Sequence, residues 1–145
     1  LKISKNFTLE EMIASSTAKS KKIDNTPNKE IVENLTILCR DVLQPIRDEW
    51  GAPIVVSSGY RCPILNKAVR GASNSQHVYG TAADIHTVED TPAKNKELFN
   101  LIVLLAKRGK ISYRQVIDEY GYNWIHIAIQ DKYHGYQNCR ELHLK

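Results

Sequence analysis

Three side chains in this sequence could together hold a metal ion and keep it reactive: His77, Asp84 and, far downstream, His126. Two imidazoles and one carboxylate can serve a catalytic zinc, which keeps its fourth position for water. Water bound there is acidified to about pKa 7 and can attack a carbonyl carbon, so the chemistry in view is metal-assisted hydrolysis. Two histidines and an aspartate also fall together by chance in soluble domains, so the elements that carry them decide the matter.

Those elements can be read from the local pattern. Pro53 to Ser58 is short and β-branched and predicts a strand, which Gly59 ends in a turn that presents Tyr60 and Arg61. A brief helix is expected from Pro63 to Val69, then a small polar loop from Arg70 to Ser75, as over a cleft, with His77 on a loop. Ala82 to Val88 alternates as a strand, with Asp84 and His86 on one face and Ala83, Ile85 and Thr87 on the other. His86 is thus a rival ligand, or a polar neighbour of the site. A hairpin is expected from Tyr113 to Glu119 and Trp124 to Gln130, joined by Tyr120-Gly121-Tyr122-Asn123. Ile125, Ile127 and Ile129 then face one way, and Trp124, His126 and Ala128 the other.

The rest of the chain reads as scaffold. Thr8 and Glu11 form a capping box for a short helix to about Ile13, and Ser15 to Asn25 reads as an irregular surface segment. Thr26-Pro27 predicts a helix start, with Ile31, Leu35, Leu38, Val42 and Leu43 as its buried face, a kink at Pro45 and an end near Trp50-Gly51. Thr91-Pro92 starts another helix, whose stripe of Leu98, Leu101, Ile102 and Leu105 closes at Lys107, Arg108 and Gly109. Asp131 to Lys145 is polar and irregular, a surface tail with at most a turn of helix, where His134 and His143 would be solvated.

With 145 residues, 42% hydrophobic and 25% charged, the chain is expected to form a single domain over 1–145 with a real core. Its longest uncharged apolar run, Leu101 to Ala106, is too short to span a membrane. The chain starts at Leu1 with no secretion signal, as a trimmed or mature product would. Three cysteines, Cys39, Cys62 and Cys139, match neither a zinc knuckle nor a redox pair and are read as free thiols. The net charge of +4 is dispersed, densest at Lys19, Lys21 and Lys22; it suits an anionic partner or simply a solvated surface.

Ser75-x-His77, Gly80-x-Ala82-x-Asp84 and Trp124-x-His126, preceded by Ser58-Gly59-Tyr60-Arg61, resemble the zinc D-alanyl-D-alanine carboxypeptidase family. Asn6 to Glu11, Asp24 to Pro27 and Leu43 to Arg47 extend the likeness to the branch of phage and bacterial cell-wall peptidases, leaving only the C-terminal tail outside it. The resemblance implies an α+β fold of the hedgehog/DD-peptidase kind, a small antiparallel sheet bearing the metal on one face with helices on the other. It implies zinc on His77, Asp84 and His126, and Arg61 holding a substrate carbonyl or carboxylate, where the alternative is a surface ion pair. Ser75 is implied near the metal, and Tyr60 and Tyr79 flank the cleft as substrate contacts or as packing. The substrate implied is a peptide bond of peptidoglycan stems or cross-links. The place of action would be the periplasm or outer wall if bacterial, or the host cytoplasm and then the wall if phage-derived.

Many members of that family carry an acid three residues before the last zinc histidine, but Asn123 stands there in this sequence. Asp118 and Glu119 are the candidate bases. A four-residue loop would set Glu119 opposite Trp124 and Ile117 opposite His126, which puts Glu119 on the His126 face; a one-residue slip would favour Asp118. Gln115-Val116-Ile117-x-Glu119 also resembles the strand that carries the glutamate in this branch. A non-catalytic wall-binding module is the alternative that Asn123 keeps open. Nucleic-acid binding lacks a motif, no organic cofactor is indicated, and a monomer is expected.

Overall fold

The computed structural model describes residues 1–144. Five strands form one sheet: β1 (Ile54–Ser58), β2 (Ala82–Thr87), β3 (Gln115–Glu119), β4 (Trp124–Ala128) and β5 (Arg140–Leu144), in the order β1-β2-β4-β3-β5. The first three pairings are antiparallel, and β3 pairs with β5 in parallel. The fold is α+β as expected, with a mixed rather than a purely antiparallel sheet.

Alternation gives the sheet one apolar face. Ala83, Ile85, Val116, Ile125 and Ile127 are fully buried on it, beneath α6 (Pro92–Lys107), whose Leu98, Phe99 and Ile102 enter the same core. Thr91 caps α6 at Lys94 with Pro92 in the first turn, where a missing N–H is harmless. Asn95 of α6 ties the layers together, accepting from Thr87 N–H and donating to the Tyr122 carbonyl.

The N-terminal helices complete the core and refine three expectations. α1 (Leu9–Ile13) has the predicted Thr8–Glu11 capping box. The Ser15–Asn25 segment contains a helix after all, α2 (Ser16–Lys21), because Ser15 caps Ala18 N–H and Ala18 is buried. α3 (Lys29–Leu38) starts later than Thr26-Pro27 suggests: Asp24 engages the Thr26 amide and hydroxyl, and Asn28 serves as the cap instead. A wide π turn, Cys39–Leu43, then leads into α4 (Gln44–Trp50), so the missing N–H of Pro45 is absorbed without ending the helix. α5 (Pro63–Ala68) forms as expected. No helix among the described residues is long and apolar enough to cross a membrane, and all three thiols are free.

The expected irregular tail is the main correction, although Lys145 itself lies outside the described residues. β5 pairs with β3 along its whole length, and the two tail histidines are engaged rather than free in solvent. His143 Nδ1 is 2.6 Å from Asp118 Oδ2, and its Nε2 is 3.2 Å from Glu141 Oε1. The Asp118 hydrogen bond raises the His143 pKa against a smaller opposing effect of burial. The imidazolium form therefore stabilises the docked strand fully below the ordinary histidine value of ~6.5, and this is lost as pH rises through the raised folded value. His143→Gln should cost ~0.5 kcal/mol in urea unfolding in that acidic range and nothing at alkaline pH; a pH-independent difference would remove the imidazolium clasp.

Candidate metal centre

His77 lies on a 3-10 turn, Gln76–Tyr79, capped by the Ser75 hydroxyl, which accepts from His77 N–H. Its ring is 3% exposed, and Nδ1 is 2.7 Å from the Gly59 carbonyl oxygen. A carbonyl only accepts, so Nδ1 carries the proton and Nε2 is the free nitrogen. Gly59 can come this close to α1 because it has no side chain: a Cβ there would sit 2.2 Å from the Met12 carbonyl oxygen. The Tyr60 amide donates to that same Met12 oxygen.

Asp84 and His126 are directly opposite each other in the β2–β4 pairing. Asp84 Oδ1 lies 3.2 Å from His77 Nε2 and 3.0 Å from His126 Nδ1, and the three residues offer ligand atoms all within 4.8 Å of one another. With a neutral His77 ring, Nε2 would turn a lone pair toward a carboxylate oxygen. That contact is repulsive unless a proton or a cation lies between them, so the donor set fits a bound divalent metal. Burial disfavours the Asp84 charge, but the two imidazoles beside it, His126 and His77, outweigh it and hold the carboxyl well below the usual carboxylate range. His86, the rival ligand, instead bonds the Thr87 carbonyl and stands 3.5 Å from Asp90.

A bulge between Val56 and Ser58 brings Ser58 rather than Ser57 opposite Asp84. Ser58 Oγ accepts from Arg61 Nη1, Ser75 Oγ from Nη2 and Asn66 Oδ1 from Nε. No carboxylate among the described residues forms an ion pair with Arg61, so its guanidinium meets only neutral oxygens. Burial lowers its pKa, partly offset by the Asp84 charge. A depression of about 220 Å³ opens beside it, lined by Tyr60, Ser57, Ser58 and Ala14 to Thr17. Tyr60 is 7% exposed and belongs mainly to the core. Tyr79 is half-buried and stacks on Tyr133 at 4.2 Å.

The β3–β4 register pairs Glu119 with Trp124 and Ile117 with His126, which sets Glu119 on the His126 face. Burial raises the Glu119 pKa; the opposing pull of His126 is smaller, and Asp84 and Asp118 add to the rise. Asp118 points to the helical side, where it accepts from Tyr122 N–H and pairs with His143. Asn123 is exposed in the turn.

Two asparagines that carry the Arg61 loop escape a reading based on reactive side chains. Buried Asn25 donates to the Ile13 and Tyr60 carbonyls and accepts from Cys62 N–H. Asn66 donates to the Ala72 carbonyl while holding Arg61, and Gly71 leaves room for it, since a Cβ there would come within 2.0 Å of Asn66 Oδ1. Asn25 lies in the Asp24–Pro27 motif noted for its resemblance; Asn66 has no local signal.

The comparisons fit this geometry. The model of the family described as Peptidase M15 matches residues 5–128. A zinc D-Ala-D-Ala carboxypeptidase of Streptomyces albus G is 50% identical over 44 residues. That match covers 30% of this chain and only 17% of the relative.

His77→Ala should weaken zinc binding by more than ~100-fold in competition with a chromophoric chelator, whereas His86→Ala should leave it unchanged. A His77→Ala protein that loads zinc like wild type would remove His77 from the metal set.

Proposed function

The chain belongs to the Peptidase M15 family, a family of peptidases, and on that premise we propose that it hydrolyses a peptide bond in the stem peptides or cross-links of peptidoglycan. Zinc is its cofactor, with His77, Asp84 and His126 as the proposed ligands. The observation that carries the reading is the convergence of these three side chains, with the His77 tautomer fixed by the Gly59 carbonyl. When bound, zinc supplies a Lewis acid that acidifies water toward neutral pH.

The chain's own residues supply the rest. Glu119 accepts the proton of the attacking water and returns it to the leaving amine, a task suited to a carboxylate whose pKa is raised. Arg61, with no acidic ion-pair partner among the described residues, holds the substrate carbonyl or carboxylate with its paired donors. Ser75 keeps His77 and Arg61 in a common frame, accepting from both. Tyr60 shapes the wall of the depression beside Arg61 rather than offering a mobile contact. Such a substrate puts the place of action at the cell wall, reached through the periplasm or outer surface in a bacterium, or from the host cytoplasm for a phage product.

The reading is tested by digesting purified peptidoglycan with zinc-loaded protein beside a chelated control and weighing the fragments. Released alanine would mean carboxypeptidase action, and split cross-links or severed stems endopeptidase action. No chelator-sensitive product from any wall chemistry would overturn it. Glu119→Gln should lower kcat by ~10² to 10⁴ with zinc still bound; near-normal turnover would sink the base assignment.

A further inference from the structure

Beyond the strand that carries His126, Asp131 buries its carboxylate to 4% exposure, and no lysine or arginine among the described residues pairs with it. Its Oδ2 accepts from the Thr81 hydroxyl at 2.9 Å and from Gln76 Nε2 at 3.0 Å. Its Oδ1 accepts from the backbone N–H groups of Tyr133 and His134. His134 Nδ1 is 2.9 Å from both carboxylate oxygens, and His134 Nε2 is 2.6 Å from the Asn74 carbonyl oxygen. Through its two nitrogens the ring bridges the two segments.

These bonds fall on both sides of His77. Asn74 is held by His134, while Gln76 and Thr81 are held by Asp131, and Gln76 Nε2 also donates to the Ile129 carbonyl. Arg114 reinforces the arrangement, donating to Gln76 Oε1 and to the Gly135 carbonyl. The segment that presents one histidine ligand is thus anchored to the chain that leaves the other ligand's strand. Both anchoring residues lie beyond residue 128, where the family match ends.

We propose that Asp131 and His134 are positioning residues for the metal centre: by fixing Asn74, Gln76 and Thr81 they aim His77 at Asp84 and His126, and so set metal affinity. This rests on the zinc reading above. Partners of metal ligands are worth ~10 to 100-fold in affinity, and that is the loss expected when the anchor is cut.

The test is zinc affinity, measured by chelator competition on protein shown to be folded by circular dichroism, for wild type, Asp131→Asn, His134→Ala and Leu105→Ala. Leu105→Ala opens a cavity in the core under α6 and reports what destabilisation alone does. The expected result is affinity ~10 to 100-fold weaker in the first two variants, unchanged in Leu105→Ala, with kcat of the zinc-loaded enzyme lowered and KM preserved. Wild-type affinity in folded Asp131→Asn and His134→Ala, or an equal loss in Leu105→Ala, would overturn the inference. Wild-type protein that takes up no zinc would instead overturn the metal reading and the affinity claim with it. If Asp131→Asn does not fold, Thr81→Val removes a single donor at constant shape; it should still weaken zinc several-fold, and an unchanged affinity would count against the proposal.

Discussion

The hydrogen bond from His77 Nδ1 to the Gly59 carbonyl is the contact on which the candidate centre depends. It chooses which nitrogen of the ring faces Asp84, and it works only because Gly59 lies against α1 without a side chain. The same short stretch turns the chain so that Arg61 N–H donates to the His77 carbonyl. One backbone constraint therefore positions both His77, a candidate metal ligand, and the cation beside it. Asn25 and Asn66 hold that stretch from either side.

Three carboxylates on two strands show how environment assigns work to like groups. Asp84 is buried but lies between two histidine rings, so its charge is held. Glu119, two strands away on the same face, has no such donors among the described residues, and burial pushes its pKa up. Asp118 is one residue away, yet the pleat turns it to the opposite face, where it anchors a turn and β5. The difference between Glu119 and Asp118 is parity alone, and the four-residue loop from Tyr120 to Asn123 fixes it.

That parity was legible in the sequence because a loop length and an alternation of isoleucines are local facts. The strands at Ile54 and Ala82, the Thr91-Pro92 helix start and the facing of His126 were legible for the same reason. The tail was not. Arg140-Glu141-Leu142-His143-Leu144 has little apolar content, and it becomes a strand only because β3 offers a free edge distant in sequence. His134 reads as solvated until Asn74, sixty positions earlier, is brought beside it. α2 left no apolar period to read, since Ala18 is the one buried residue in its six, and the Ser15 cap decided the outcome. Asn66 holds Arg61 and the Ala72 carbonyl, and Asn25 holds backbone groups of three residues, contacts that exist only once the chain has folded.

β5 also changes what the sheet presents to other molecules. With β5 in place, β3 is an interior strand whose peptide groups are engaged on both sides. The outer rim on that side instead shows Arg140, Glu141 and His143, a short and charged border that makes a poor template for strand addition by a second chain. The segment that looked like an afterthought of the sequence thereby protects the strand bearing Glu119 from self-association.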